Sequence, residues 1–248
     1  MLGHDLTEFY DPASPAGRLA AAAAQGDGAV VAALARAGAD PNAPGRDGML
    51  PLSWALLAES EPGVRALLAV GADPNRRNGA PDSRSGGGAG VSPMALAVRA
   101  RDARWLALFL SHGGDPNGPG VDGEPLLFSA IMLHELARVK ALVEHGADVD
   151  RRGMAQQTPL MLAADLNQYP IVRYLLEQGA DWRTETEGGN TLAVAVQDAQ
   201  VSPEFREMRA ALEWTRAFLV ARGVRFPVEE PWQRRQRETR LHGTPPSA

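Results

Sequence analysis

His134 and Glu135 open the segment "HELARVKALVEH", which closes on His145. A histidine followed by glutamate at the head of a helical pattern invites comparison with a zinc-protease helix. That chemistry needs a second histidine four residues after the first, so that both imidazoles face one metal. The position is held by Arg138, so the motif fails. These residues are therefore expected at exposed polar positions around a turn and the helix after it. The aspartates of "ADVD" (Asp148, Asp150) and the Asp/Asn pairs of each "ADPN" have the side chains of calcium ligands. They recur along the chain as turn formers do, and they lack the dense carboxylate loop that calcium requires. The sequence has no cysteine, which excludes disulfides, cysteine-ligated zinc and a cysteine nucleophile. No nucleophile elbow, phosphate-cradling glycine loop or dinucleotide fingerprint is present. No catalytic residue, no metal ligand and no cofactor is expected, and function is expected to be binding.

Composition agrees with that class. Of 248 residues, 44% are hydrophobic and 22% charged, enough apolar mass for a substantial core. The net charge of −5 gives no electrostatic reason to expect a nucleic-acid partner. Lys140 is the sole lysine among 25 basic residues, a bias toward arginine that fits a GC-rich, bacterial coding sequence. No apolar run approaches the roughly 18 residues that span a bilayer. The start "MLGHDLTEFYDPASPAG" carries acids where an export leader carries Lys or Arg.

The elements that would position a binding surface are periodic. A Gly-(Ala/Gly)-Asp tripeptide begins at Gly38, Gly71, Gly113, Gly146 and Gly179. The step between them is constant except from Gly71 to Gly113, where it is longer. Ahead of each lies an apolar segment with a small residue: Ala22, Ala55, Ala97, Ser129 and Ala163. In "LPLSWALLAESEPGVRALLAVGADPN", Pro51 suits a first helical turn, because its missing N–H has no intrahelical partner there. Leu52, Ala55 and Leu56 follow at helical spacing, "EPG" is expected to break the helix, and a second helix carries Val64, Leu67 and Leu68 to a stop at Gly71. The unit reads as helix, turn, helix and extended finger. One such unit buries too little to fold alone and must stack on neighbours.

The 33-residue step, "TPLMLAA" at Thr158–Ala164 and "GADVD" at Gly146–Asp150 resemble ankyrin repeats, with "LPLSWAL", "SPMALAV" and "EPLLFSA" as weaker copies. The resemblance covers residues 12–226. It implies an all-α solenoid of about six helix-turn-helix units with β-hairpin fingers, the first and last acting as caps, after a lead-in at 1–11 and before a tail at 227–248. The histidine of the family's T-P-L-H opening is replaced by Ser53, Ala95, Leu127 and Met161. The hydrogen bonds it makes to neighbouring loops are thus expected to be missing. For the last helix, Ser202 is the expected N-cap, Pro203 its first residue and Gly223 its stop.

Such repeats bind partners through the concave face of finger tips and first helices, and matching this chain to that pattern gives a candidate surface. The tips are Arg46, Asp47 and Met49; Arg76, Arg77 and Arg84; Val121 and Asp122; Arg151, Arg152 and Met154; with Glu185 and Glu187 at the C-terminal end. The first-helix positions are Leu57, Arg99, Met132, Asp165, Leu166, Asn167 and Tyr169. Trp54 stands beside the Ala55 position, read as packing with binding as the alternative, whereas Trp105 is expected in the core and Trp182 over a finger. The central arginines lead to an expected partner with an acidic patch.

The longer step, from Gly71 to Gly113, contains nine extra residues within 76–91, rich in Gly and Ser, and the repeat resumes in phase beyond them. A domain linker would lose that phase, so the insert is expected to enlarge one finger. The "TEFYDP" lead-in, the "LNQYPIVRYLLEQGADW" repeat and the "GNTLA" to "ARGVRFP" ending are similar to bacterial ankyrin-repeat immunity proteins paired with secreted antibacterial effectors, often lipases. That resemblance implies one specific protein partner, a toxic effector enzyme, bound by a chain that is monomeric alone. It implies the periplasm if an export leader was removed, and the cytoplasm otherwise. A general scaffold or adaptor, host-directed effectors included, is the alternative.

Overall fold

The computed structural model describes residues 5–78, 90–153 and 156–242. By its contacts the chain divides into two compact units, Met1–Ala130 with Ala141–Ala147, and Ile131–Lys140 with Asp148–Ala248.

The first unit begins with a single turn, α1 (Leu6–Phe9), followed by the helix pairs α2 (Pro15–Ala24) with α3 (Gly28–Arg36), α4 (Pro51–Leu57) with α5 (Glu61–Ala69), and α6 (Pro93–Arg99) with α7 (Arg104–Leu110). Helices α8 (Leu126–Met132) and α9 (Leu136–Glu144) contribute to both units. Ala55 and Ala97 are fully buried, which allows α2, α4 and α6 to pack side by side. Leu52, Val64, Leu67, Met94, Trp105 and Phe109 fill the space between pairs. Trp105 is therefore a core residue, as its register indicates.

Each pair is tied to the next by polar contacts as well. Ser60 accepts from Gly63 N at 3.3 Å and donates to Ala23 O at 2.7 Å, capping α5 and the end of α2 with one hydroxyl. A Cβ on Gly63 would overlap Ala23 O, so only glycine permits that approach. The "EPG" triplet thus starts α5 rather than ending α4. The break falls at Glu59, which adopts φ 55°; Gly26, His134 and Asn167 take the same left-handed turn at equivalent register.

The second unit holds α10 (Pro159–Asp165) with α11 (Tyr169–Glu177), α12 (Leu192–Gln197) with α13 (Arg206–Ala221), and a terminal helix α14 (Pro231–His242). Leu160, Ala163, Val172, Leu175, Leu192 and Leu219 form its core. Gln168, in the register of Ser60, donates to Ile131 O at 2.8 Å. Helix α13 starts at Arg206 with Phe205 as its cap, not at Pro203 with Ser202 as its cap; Ser202 and Pro203 lie in the preceding turn. Gly223, with φ 91°, lies just past its end.

The "EPLLFSA" opening is shifted by one. Helix α8 begins at Leu126, one regular repeat step after Pro93 opens α6, and Pro125 lies outside it. Ala130 is fully buried and stands before Gly146 as Ala97 stands before Gly113, so it takes the close-packed position instead of Ser129. By the same shift Phe128 takes the position of the family histidine instead of Leu127.

The expected β-hairpins are not found: among the described residues there is one isolated bridge, Pro119 to Pro125, and no strand. Each finger is a loop that shares one closing backbone hydrogen bond, with Gly45, Asn78, Gly120, Gly153 and Thr186 donating to Met49, Val91, Glu124, Gln157 and Asn190; the Gly120 finger adds Leu126 N to Gly118 O, and the enlarged finger adds Met94 N to Pro74 O. In every finger the next helix begins two residues after the acceptor, at Pro51, Pro93, Leu126, Pro159 and Leu192, which leaves no length of chain for a second strand. The enlarged finger has the same closure, at 2.7 Å from Asn78 N to Val91 O, so the insert is contained within a finger whose base is in register.

The "ADPN" residues have a structural use. Asp40, Asp73, Asp115 and Asp148 each accept from the backbone N–H two residues on, at 2.8–3.0 Å. Asn42 then donates to Gly71 O at 2.9 Å and accepts from Asp73 N at 2.7 Å, bridging one finger base to the next. Asn75 repeats this with Gly113 O and Asp115 N, and Asn117 donates to Gly146 O. In the second unit the position is Asp150, which accepts from Asp181 N at 2.8 Å but as a carboxylate has no proton to donate.

Candidate protein-binding surface

In the first unit the Gly45–Met49 finger is covered by the lead-in. The Tyr10 hydroxyl donates to Met49 O, and the ring of Phe9 packs on Trp54 with centroids 5.6 Å apart. A Cβ on Gly45 would collide with Phe9 O. Burial pushes the Tyr10 phenol far above its ordinary range, so it remains a donor. Met49 is half-buried and Arg46 exposed, while the side chain of Asp47 lies outside the description. Trp54 is half-buried, and its indole Nε1 is buried without a hydrogen-bond partner among the described residues.

The other fingers of this unit present more. Arg76 and Arg77 are exposed, and Arg84 lies outside the described residues together with the insert's centre, 79–89. Arg99, at the end of α6, stands 3.9 Å from Asp122 in an exposed pair, beside Val121 at 44% exposure. Leu57, at the equivalent end of α4, is 36% exposed. The expected loss of hydrogen bonds at the opening's fourth residue is only partial. Ala95, Phe128 and Met161 are buried apolar side chains there, but Ser53 donates to Asn78 Oδ1 at 3.1 Å.

Among the described residues of the second unit Met132 is the most exposed large apolar side chain, at 59%. Arg151 and Arg152 are exposed, and the Arg152 guanidinium donates to Gln156 O at 3.1 Å. Met154 lies outside the described residues. Asp165 accepts from Gln157 Nε2 at 2.6 Å; partial desolvation raises its pKa, and the Gln157 hydrogen bond opposes that rise. Asn167 is exposed and accepts from the Tyr169 hydroxyl at 2.9 Å, while Leu166 is half-buried. Tyr169 itself is 0% exposed. Its ring is a packing element that orients Asn167, which corrects its place among the contact residues. It is the first residue of α11, a helix packed on α10 and α13.

Residues 89–186 match the family model for ankyrin repeats, in three copies. This span is similar to an array of ankyrin repeats. A comparison with curated proteins finds no match. Ankyrin repeats are a protein–protein interaction module, and the exposed finger tips and helix ends are where such a module offers side chains not committed to packing. No group of three His, Cys, Asp or Glu side chains that could hold a metal occurs among the described residues, and no described helix is long and apolar enough to cross a membrane. The α8–α9 junction accounts for the "HE" pair: His134 takes a left-handed turn at φ 59°, and Glu135 pairs with the buried Arg138.

Sequence reasoning missed the tail. Residues 231–242 are helical, and Arg234 and Arg235 reach back to the Thr186–Asn190 finger, where Arg234 pairs with Glu185. The signal was available in Pro231 followed by a Pro- and Gly-free run to His242.

Proposed function

We propose that the chain is a non-enzymatic module that binds one protein and inhibits it, as an immunity protein neutralising a secreted antibacterial effector such as a phospholipase. The observation carrying the binding reading is the division of labour in the repeats. The Asp and Asn side chains of the fingers satisfy the local backbone, which leaves Arg76, Arg77 and Val121 in one unit and Met132 in the other facing solvent; Arg99, Arg151 and Arg152 are exposed beside them, Arg99 paired with Asp122 and Arg152 bound to Gln156 O. Arginine and methionine are enriched in protein interfaces, where a preorganised surface lowers the entropy cost of association. The six-unit reading of the helix pairs and the acidic character of the partner belong to this proposal. So does its setting: the periplasm if the natural precursor carries a leader, otherwise the cytoplasm.

The inhibitory part rests on the likeness of "TEFYDP" and "LNQYPIVRYLLEQGADW" to immunity proteins. Its test is co-expression with the toxic enzyme encoded beside the natural gene. Relief of toxicity together with a stable complex supports the reading; a complex without relief favours the adaptor alternative. Neither complex nor relief removes the immunity role.

A further inference from the structure

Two fingers of the second unit have the same loop and opposite charges at one position. Arg152 and Glu185 are one regular repeat step apart, as are Gln156 and Gly189. In the earlier finger the Arg152 guanidinium caps the Gln156 carbonyl at 3.1 Å. In the later finger glutamate stands in the arginine's place, and the equivalent carbonyl of Gly189 is capped by Arg234, which arrives from α14 and also binds Glu185 at 3.0 Å. Arg235 donates to the adjacent Gly188 O at 3.2 Å. The later finger is thus an acceptor site, one carboxylate and two carbonyls, filled by guanidinium groups from another element.

The way α14 fills it is loose. Pro231 is the only residue of α14's described side chains that is buried, and Trp232 beside it is 52% exposed. The Arg234 Nε is buried with no hydrogen-bond partner among the described residues. Ahead of α14 in the chain, Gln197 at the end of α12 holds residues 228–230 by accepting from Val228 N at 2.9 Å and donating to Glu230. The seat is polar and charge-assisted, with little apolar burial to hold it shut.

We propose that the surface made by Glu185, Gly188, Gly189 and Gln197 is a docking site for an arginine-bearing helix, occupied in the free protein by α14 and opened to a partner's basic helix when α14 is displaced. This goes beyond the proposed function and does not depend on the effector's identity, since the site can be probed with a peptide of residues 226–242.

The test uses the full chain with Arg234→Ala/Arg235→Ala, which leaves the acceptors intact and removes the donors of its own helix. The labelled 226–242 peptide is expected to bind this variant at least about ten-fold more tightly than the wild type, the loss of one charge-assisted contact being worth that much. The same peptide with both arginines changed to glutamate is expected not to bind. A second variant, Glu185→Arg, places in the later finger the residue that caps its own carbonyl in the earlier one. It is expected to release α14, read as faster amide exchange over 231–242, and to refuse the peptide. Circular dichroism verifies folding of both. Equal binding to wild type and variant, or no binding to either, overturns the proposal. So does a concentration-dependent wild-type dimer that exchanges α14 between copies. Failure here leaves the co-expression result untouched, and failure of co-expression leaves this site standing.

Discussion

The fingers at Gly153–Gln157 and Thr186–Asn190 have nearly the same backbone and different fates. Both are closed by the same hydrogen bond, and both place a residue in the left-handed region at the tip, Gln156 at φ 55° and Gly189 at φ 82°. Arg152 satisfies its own tip, whereas Glu185 turns the next tip into a receptor for α14. The two fingers thus differ in the charge at one register, which in one caps its own carbonyl and in the other binds an arginine from another segment. The Gly45–Met49 finger is a third state, in which an uncharged donor, the Tyr10 hydroxyl, comes from the lead-in.

The largest expected effect breaks that third state. Gly45→Ala would drive a methyl group into Phe9 O and the Tyr10 ring, and overpacking of this kind costs about 1–3 kcal/mol. A fall in melting temperature with new protease sensitivity in residues 5–14 is the expected result. Unchanged protection there would show that the finger does not hold the lead-in.

The tips give an opposed pair of about 1 kcal/mol each. Gln156→Gly removes a left-handed glutamine and should stabilise the chain, while Gly189→Ala introduces strain at the matching position and should destabilise it. Chemical denaturation reads both, and shifts of the same sign would break the equivalence of the two fingers.

At the finger base, Asp150→Asn restores the donor that Asn42, Asn75 and Asn117 each direct at a glycine carbonyl. A gain of about 0.5–1.5 kcal/mol is expected, the net value of one hydrogen bond. A loss would show that the carboxylate at this position has a use that the repeat pattern does not reveal.

The smallest effect depends on pH. Asp165 has a raised folded-state pKa, so its ionised form destabilises the fold relative to its protonated form, and stability from this group rises as pH falls through the folded value. Asp165→Asn should therefore raise the melting temperature slightly near pH 7. The difference from wild type should vanish below the ordinary aspartate range, and a difference that grows toward acid pH would reverse the sign.

Much of the frame is legible in the chain because it is built from spacing. The glycines at Gly71, Gly113 and Gly179 end helices with φ of 84–91°. The alanines at a fixed offset before them, Ala55, Ala97 and Ala163, are all fully buried. Where residue type and spacing conflict, spacing wins: Pro125 pulls the reading of α8 one residue early, yet Leu126 starts the helix because the repeat length sets which residue faces the stack. The site is less legible, since exposure depends on neighbours that periodicity does not contain. Tyr169 stands close to exposed Asn167 but is enclosed by packing, and Trp54 is half-covered by Phe9 from a segment outside the repeat. Glu185 looks like a free acid in the sequence because its partner, Arg234, comes from the far end of the chain, in a helix with no repeat signature.

The central claim, that a protein partner is held through the exposed arginines of the fingers, is tested most directly by affinity. The partner captured from the native host and purified would be titrated against the full chain and against Arg151→Glu/Arg152→Glu. Reversing two contact charges is expected to weaken the complex by at least about ten-fold, and more at low salt than at high salt. An unchanged dissociation constant in a folded variant would contradict the claim.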